Sequence, residues 1–268
     1  MAVIPTKVCE RLSKGVKKFQ PILATAQSHD VVEANTSNIV TDILAEVFGY
    51  TKHTEITAEY KIKGCFCDLA IKLGDEPKLL IEVKAIGLPL KEAYTKQAID
   101  YAANQGVEWV VLTNGAIWRI YEVIFGKPIS QEMICEFNLL EPTLKGRAQI
   151  ESLFPLTKEG FKKGALRDLS DMKRAANRYN LAAIILSDYF LGTIRGQLKK
   201  LWPTTKIQKD QLRPLLVQEV LKREVTEGEQ AVEAQLKLTK MTKGKSKVKE
   251  KVRQDKQAAS PSGSNEQT

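Results

Sequence analysis

The chain has 268 residues, of which 27% are charged and 43% hydrophobic, and its formal net charge is +9. This composition is typical of a soluble globular protein with one substantial core and an appended region. No apolar run reaches the roughly 18 residues of a membrane-spanning helix, and the N-terminal segment lacks the apolar core of a signal peptide. We therefore expect a cytoplasmic protein with no membrane partner.

The few cysteines and histidines limit the metal and redox chemistry of the chain. His29 and His53 are its two histidines, so no zinc constellation is formed. Cys65 and Cys67 would share one face of a strand, which is poor geometry for a disulfide between them. We expect the cysteines to be small buried apolar side chains.

The positive charge is concentrated near the end of the chain. From Lys237 onward there are nine basic and three acidic residues, so this segment carries most of the net charge. Its Lys-, Gly-, Ser- and Gln-rich composition predicts that residues 238–268 form a disordered basic tail. Such a tail can raise nucleic-acid affinity without sequence specificity, or it can be a solvated, solubilising extension.

The hydrophobic periodicity predicts a mixed α/β domain. It begins with an amphipathic segment in residues 1–30, which Pro21 is expected to break, and a helix from Glu33 to Phe48 that Gly49 closes. Alternating or apolar runs predict strands, and one further helix follows the third of them. These elements are strands at Thr54–Tyr60, Phe66–Leu73, Leu79–Ile86, Trp109–Thr113 and Ala116–Val123, and the helix Leu90–Gln105.

The chain changes character after the predicted sheet. Helical spacing runs from Leu166 to Trp202, Pro203 stops it, and a second helical stretch runs from about Gln208 to Leu236. We predict an α/β domain in residues 1–142, a mixed β-sheet flanked by helices, followed by a helical hairpin in residues 143–237. The helical region is expected to set the oligomeric state or to contact a partner or DNA.

Three charged residues lie on two adjacent predicted strands. Alternation places Asp68 on one face of its strand and Glu82 with Lys84 on one face of the next. If the two strands pair as a hairpin, the three charges converge, provided that Asp68 lies opposite Glu82 or Lys84. The turn at Gly74–Pro77 must then be odd-numbered or contain a bulge. The simpler interpretation is a solvated ion-pair face of little energetic worth.

The pattern Asp68 followed by Glu82-Val83-Lys84 resembles the PD-(D/E)xK nuclease superfamily. More narrowly, residues 33–123 resemble the N-terminal nuclease domain of type I restriction enzyme R subunits and their stand-alone relatives. The helix that starts at Glu33 and the Gln97-x-x-x-Tyr101 spacing support this resemblance, as do Val111–Gly115 and Trp118–Tyr121. The proline that names the motif is replaced by Cys67, as it is replaced in other members.

The resemblance implies a restriction endonuclease-like fold and a role for each matching residue. Asp68, Glu82 and the Val83 carbonyl would bind Mg²⁺, for which Mn²⁺ can substitute. Lys84 would orient or deprotonate the attacking water and neutralise charge on the phosphate. Glu33 would assist at the metal, or simply complement its helix dipole. Gln97 and Tyr101 would contact DNA or position Lys84, or form a polar helix edge.

The function predicted from the resemblance is Mg²⁺-dependent cleavage of DNA in restriction, defence or DNA processing. RNA stays open as the substrate, and a catalytically silent nucleic-acid-binding or assembly module is the alternative. The chain has no Gly-x-x-x-x-Gly-Lys-Ser/Thr loop, so an ATP-driven motor would be a separate subunit. Because cutting two strands commonly requires two sites, we also expect a homodimer or a higher oligomer.

Overall fold

A computed structural model describes residues 3–62, 65–141 and 146–240 of the chain. The chain divides into two compact units, Met1–Lys173 and Arg174–Thr268. The predicted basic tail lies almost entirely beyond residue 240 and so outside the described residues. None of the described helices is both long enough and apolar enough to cross a bilayer.

The first unit is built on a six-stranded mixed sheet whose strands are arranged in chain order. The third and fourth strands pair in parallel, and every other neighbouring pair is antiparallel. This agrees with the predicted mixed α/β class. The strands are β1 Ile56–Ile62, β2 Cys65–Leu73, β3 Glu76–Val83, β4 Trp109–Thr113, β5 Ile117–Ile124 and β6 Ser130–Asn138.

Helices cover both faces of the sheet. The first two helices and a later group pack over one face, and a single helix after β3 covers the other. A 3-10 turn at Glu92–Tyr94 leads into that single helix. The helices of this unit are α1 Thr6–Ser28, α2 Glu33–Glu46, α3 Thr95–Gln105, α4 Gly146–Leu153, α5 Lys158–Lys162 and α6 Ala165–Ala175.

Helix α1 continues through Pro21, contrary to the predicted break at that residue. An interior proline lacks the N–H of a helical hydrogen bond and costs about 3 kcal/mol in a helix. Here Leu23 and Ala26, which follow the proline, are both buried in the core. Burial of this second half of the helix offsets the penalty, and Pro21 itself lies on the exposed side.

Helix α2 ends at Glu46, two residues before the predicted end at Phe48, and Gly49 lies in the turn that follows it. Gly49 has φ +85, a conformation that glycine adopts without strain, and its N–H donates to the Ala45 carbonyl at 3.1 Å. Arg11 fastens this end of α2 to its surroundings, since it donates to the carbonyls of Val47 and Phe48 and forms a two-pronged ion pair with Glu159. The guanidinium of Arg11 lowers the pKa of the Glu159 carboxyl.

The second unit is helical, but the two long arms predicted for a hairpin are divided into short helices. The Asn177 side chain accepts from the Asn180 N–H and the Ser187 side chain from the Phe190 N–H, so each residue begins a new helix. The helices are α7 Arg178–Ile185, α8 Asp188–Leu201, α9 Lys209–Leu215 and α10 Arg223–Thr226, with a π-helical turn at Leu216–Val220 and further helix in residues 229–240.

The unit boundary at 173/174 differs from the predicted domain limits at 142/143 and 237/238. Residues 146–173 form helices of the same unit as the sheet, because Phe154, Leu156 and Leu166 are buried in one cluster with its strands. The functions assigned to residues 1–142, 143–237 and 238–268 stay predictions.

Candidate active site

The site is assembled where β2 and β3 run side by side. Their pairing places Leu69 opposite Ile81, and continuing the same register places Asp68 opposite Glu82. The register shifts at Ile71/Lys72, which is the bulge that the sequence pattern requires if the charges are to share a face. The predicted convergence of Asp68 with Glu82 is therefore confirmed at the level of strand pairing.

Asp68 is anchored to the backbone of the neighbouring strand. The Val83 N–H donates to Asp68 Oδ2 at 2.7 Å. This bond points the Asp68 carboxylate at the end of β3, where Glu82 and Lys84 flank Val83. Asp68 is half-buried, so part of its carboxylate stays accessible for another ligand.

Glu82 and Lys84 form the closest charge pair of the site. Lys84 Nζ donates to Glu82 Oε1 at 2.7 Å, and Glu33 Oε2 lies 3.6 Å from the same ammonium. The side chains of Glu82 and Lys84 are only 10% and 16% exposed, whereas that of Glu33 is 48% exposed. The three residues therefore meet at one point, although Glu33 is separated from them by more than 40 residues of sequence. Helix α2 begins at Glu33, and this helix start places the Glu33 carboxylate near the end of β3.

The pKa values of this pair reflect burial and an excess of negative charge. Burial raises the pKa of Glu82, and the nearby carboxylates of Asp68 and Glu33 raise it further, against the lowering effect of Lys84. For Lys84, burial acts to lower the pKa, but its hydrogen bond to Glu82 and the surrounding carboxylates outweigh burial and raise it. Lys84 is therefore held as an ammonium, and three carboxylates share its single positive charge.

The backbone around Lys84 is held by a turn between β4 and β5. The Lys84 N–H donates to the Thr113 carbonyl at 2.8 Å, and buried Asn114 donates to the carbonyls of Ile86 and Leu88. Asn114 also accepts the Ile117 N–H at 2.8 Å. The sequence pattern indicated only a hairpin turn at Asn114-Gly115. The buried amide, which clamps the segment after Lys84, was not identified from the pattern because its partners are backbone carbonyls.

Two more residues approach the site without having been predicted. The ring of Tyr94 lies 5.8 Å from Lys84 Nζ, so it contributes a weak cation–π contact. Asp30, between α1 and α2, lies against Gly87. A Cβ added at Gly87 would sit 2.3 Å from Asp30 Oδ1, so any larger residue here requires the exposed Asp30 side chain to move. No residue pattern in the sequence signals either contact.

Gln97 and Tyr101 lie one turn apart on α3, as their spacing predicts. The Gln97 amide donates to the Tyr101 hydroxyl, and Gln97 is exposed while Tyr101 is half-buried. Within the described residues, Gln97 has no hydrogen bond to Asp68, Glu82 or Lys84. The structure therefore joins this pair to each other, and its contact with nucleic acid or with Lys84 stays a prediction.

The face of the sheet that carries the charges is not open to solvent, as a simple ion-pair face would be. Ala70, Leu80 and Leu112 lie on it and are buried under Ala98 and Ala102 of α3. Cys67, expected on the opposite face, belongs to this cluster as well. Its thiol donates to the Leu69 and Ile81 carbonyls, and burial together with the charge of Glu82 raises its pKa to about 12.

The donor set fits a hard divalent cation, although a complete metal-binding cluster is not present. In the described part of the chain, no three His, Cys, Asp or Glu side chains are grouped so that they could hold a metal. Mg²⁺ commonly needs only one or two carboxylates because it keeps several waters. Asp68 and Glu82 supply two such carboxylates, and the raised pKa of Glu82 marks a charge that Lys84 does not fully compensate.

The first unit is thus an α/β domain whose mixed sheet brings an aspartate of β2 next to a glutamate and a lysine at the end of β3. Residues 37–133 match the family described as type I restriction enzyme R protein N terminus (HSDR_N). This match covers β1 to β5 and confirms the resemblance for a little over a third of the chain. No curated protein and no solved structure matches the chain significantly.

Proposed function

We propose that the first unit is a Mg²⁺-dependent endonuclease that hydrolyses DNA phosphodiester bonds in restriction, defence or DNA processing. The observation that carries the proposal is the meeting of Glu82, Lys84 and Glu33, with Asp68 opposite Glu82 on the neighbouring strand. The family match adds independent support, since its description names a restriction enzyme subunit. Type I enzymes cut DNA, so DNA is the favoured substrate.

The metal would be held by the carboxylates of Asp68 and Glu82 and by the Val83 carbonyl. Bound Mg²⁺ supplies Lewis-acid activation of a phosphate oxygen or of a water. The chain itself contributes the orientation of these donors. Asp68 is fixed by the Val83 N–H, and Glu82 is fixed by Lys84. Both bonds hold oxygen donors in place before any ligand arrives, which lowers the cost of ordering them.

Lys84 would act as a cation and not as a base. Its raised pKa keeps the ammonium protonated at neutral pH, so it can orient a water and stabilise negative charge on a phosphate. Thr113 accepts the N–H of this lysine, and Asn114 holds the backbone that follows it. Glu33 shares the Lys84 ammonium and would position it, or assist waters at the metal.

Catalytic silence is the competing function, and one observation favours it. The Glu82 carboxylate already has Lys84 as its partner, and Glu33 lies close to the same ammonium, so the charges form an internal network. A nuclease-like fold with such a network would serve as a nucleic-acid-binding or assembly module. Cleavage of RNA by the same residues is the second alternative, because the arrangement does not select a sugar.

A cleavage assay with purified protein separates these functions. We expect supercoiled plasmid to be nicked or cut in Mg²⁺ or Mn²⁺ but not in EDTA, and Lys84→Met to remove this activity. A matched RNA substrate tests the alternative substrate. Absence of cleavage of both substrates in both metals, while nucleic acid is still bound, would establish the silent module in place of the enzyme.

The proposed partners follow from the requirement for two cuts and from the lack of a motor sequence. We propose a homodimer or a higher oligomer, and a separate translocating or defence-system subunit if cutting depends on ATP. Light scattering of the purified chain tests the first part. A mass equal to one chain, in the presence and absence of DNA, would argue against an oligomer.

A further inference from the structure

The net charge of the chain lies entirely outside the unit that holds the candidate active site. Residues 1–173 contain 22 basic and 22 acidic side chains, so this unit is formally neutral. Residues 174–240 contain 12 basic and 7 acidic side chains, and residues 241–268 add seven basic and three acidic ones. A phosphate polymer would therefore gain its electrostatic affinity from residues 174–268.

Within the second unit, cations concentrate on one stretch. Residues 189–209 contain five basic residues and no acidic one. They cover most of α8 and run into the start of α9. We refer to these five residues as the α8 basic patch, which consists of Arg195, Lys199, Lys200, Lys206 and Lys209.

The fold brings part of the patch together from two helices. Arg195 and Lys199 are four residues apart on α8 and so share a face. Lys209 starts α9, yet its side chain crosses to α8: its Cε and Nζ lie 3.2 Å and 3.5 Å from the point where a Cβ of Gly192 would be. Since Gly192 lies one turn before Arg195, the three cations line the same side of α8.

The five cations differ from their neighbours in having no acidic partner. None of them forms an ion pair with any residue in the described part of the chain. In contrast, Arg178 pairs with Glu224, Arg213 with Asp188 and Lys237 with Glu233 in the same unit. Unpaired cations that crowd one surface repel each other, so binding an anion there removes an unfavourable interaction as well as adding a favourable one.

Exposed aromatic side chains lie at both ends of α8, the helix that carries most of the patch. Trp202 follows α8 and is 56% exposed, and Tyr189, in its first turn, is 79% exposed. Large aromatic side chains are usually buried, so their exposure next to cations indicates a surface on which planar groups stack. Cations combined with exposed aromatic rings are the features by which proteins bind unpaired nucleotides.

We propose that the α8 basic patch binds the phosphate backbone of single-stranded nucleic acid, with Trp202 stacking on an unpaired base. The proposal rests on the proposed function for its choice of ligand, but it assigns the affinity to a different unit from the chemistry. Arg195, Lys199 and Lys209 contact phosphates, while Trp202 contacts a base. The patch carries no sequence preference because backbone and stacking contacts do not distinguish bases.

Fluorescence anisotropy with labelled oligo(dT) across a range of salt concentrations tests the patch in the full chain, in EDTA so that no cleavage occurs. In the variant Arg195→Gln/Lys199→Gln/Lys209→Gln, we expect the slope of log affinity against log salt to become shallower by about 2, at roughly 0.7 per lost phosphate contact. Affinity at about 0.1 M salt should fall on the order of a hundredfold, since each unit of slope is a factor of ten between 1 M and 0.1 M salt.

The matched control removes the same charge from the same unit. Arg178→Gln/Arg213→Gln/Lys237→Gln deletes three cations that are already ion-paired, and we expect little change in slope. Equal weakening by both triple variants would show a net-charge effect and overturn the patch. The charge-preserving variant Arg195→Lys/Lys199→Arg/Lys209→Arg should keep the wild-type slope. If that variant also loses the salt dependence, the defect is structural and the proposal fails.

Trp202 reports on stacking directly. Trp109 and Trp118 are only 5% and 0% exposed, so surface quenching of tryptophan fluorescence comes from Trp202. We expect oligo(dT) to quench this emission in the wild type and not in Trp202→Phe, whereas a duplex of equal length quenches less. Equal quenching by duplex, or preferred binding to anionic lipid vesicles, would overturn the assignment. Because binding is measured without metal, an inactive nuclease site leaves the result unaffected.

Discussion

Two buried glutamates on opposite faces of the same sheet have different electrostatic surroundings. Glu122 on β5 is 2% exposed, and Arg167 and Ser170 of α6 donate to its two carboxylate oxygens. Glu82 on β3 is 8% exposed, but it has one lysine and two further carboxylates nearby. The negative charge of Glu122 has hydrogen-bond donors on both oxygens, one of them a guanidinium. The negative charge around Glu82 exceeds the positive charge of the single lysine.

The comparison distinguishes a buried charge whose partners the fold supplies from a buried charge that the fold leaves partly uncompensated. A buried ion that serves only folding needs its partners supplied by the protein, because an uncompensated buried charge is costly. Arg167 also pairs with Glu108 and lies over the Trp109 ring, so the protein itself supplies the cation of the Glu122 network. The site around Glu82 keeps an excess of carboxylates over cations, which the metal ion of the proposed function would balance.

The largest expected effect is on cleavage. We expect Glu82→Gln to reduce plasmid cleavage on the order of 10²- to 10³-fold, because it removes a proposed metal ligand and the partner that orients Lys84. The free energy of unfolding should not decrease, since the substitution removes a charge that burial disfavours. Cleavage rates and denaturant unfolding measure the two quantities, and a variant that is both inactive and strongly destabilised would contradict the comparison.

The second largest expected effect is a loss of folding stability when Glu122 is replaced. We expect Glu122→Ala to lower the free energy of unfolding by about 3 kcal/mol, since it leaves Arg167 and Ser170 without their partner. Cleavage per folded molecule should stay at the wild-type level. Denaturant unfolding and plasmid cleavage at low temperature measure this, and Lys78→Ala, which breaks the exposed pair with Glu76, is the control.

Metal binding should distinguish the two glutamates at equilibrium. We expect saturating Mg²⁺ to raise the unfolding temperature of the first unit by about 5 °C, as ligand in roughly 100-fold excess over its dissociation constant stabilises by about 2.7 kcal/mol. Glu82→Gln should lose most of this rise and Glu122→Gln should keep it. An equal rise in both variants, seen by calorimetry, would place the cation elsewhere.

The smallest effect is on the dependence of stability on pH. The pKa of Glu82 lies above 4.5 in the folded state, so the folded protein binds a proton more tightly here than the unfolded chain does. This contribution is fully present below pH 4.5 and is lost as the pH rises through the folded-state pKa. We expect Glu82→Gln to gain stability relative to the wild type over that window, measured by unfolding at several pH values.

Much of the fold was predictable because local pattern and tertiary structure agree. Strand β4 has the predicted bounds, and the turn at Gly115 has the positive φ that its glycine indicates. Strand β6 was not predicted. It is an edge strand with five exposed or half-exposed polar positions, so its apolar alternation is weak.

The remaining differences arise from contacts that no local pattern contains. Cys67 lies on the face opposite to the one expected from strand alternation. The alternation is broken beside it: Glu59 of β1, which lies opposite Asp68, has a left-handed φ of +47, and the strand pairing is interrupted there. In the site, the two strands made Asp68, Glu82 and Lys84 predictable. Asn114 and Asp30 were not, because the backbone segments that they contact are distant in sequence.

The bulge between β2 and β3 shifts the register of the two strands by one residue, and so decides which side chains lie opposite each other. Lys78 is the extra residue: if the ladder continued from the turn with every residue paired and no bulge, Asp68 would lie opposite Ile81, and its carboxylate would project from the face of the sheet opposite to that of Glu82. The hairpin can therefore lengthen or shorten by two residues at its tip and keep the three charges together. A change of one residue that kept both the two-residue turn and the bulge would separate them, even though Asp68, Glu82 and Lys84 were still present in the sequence.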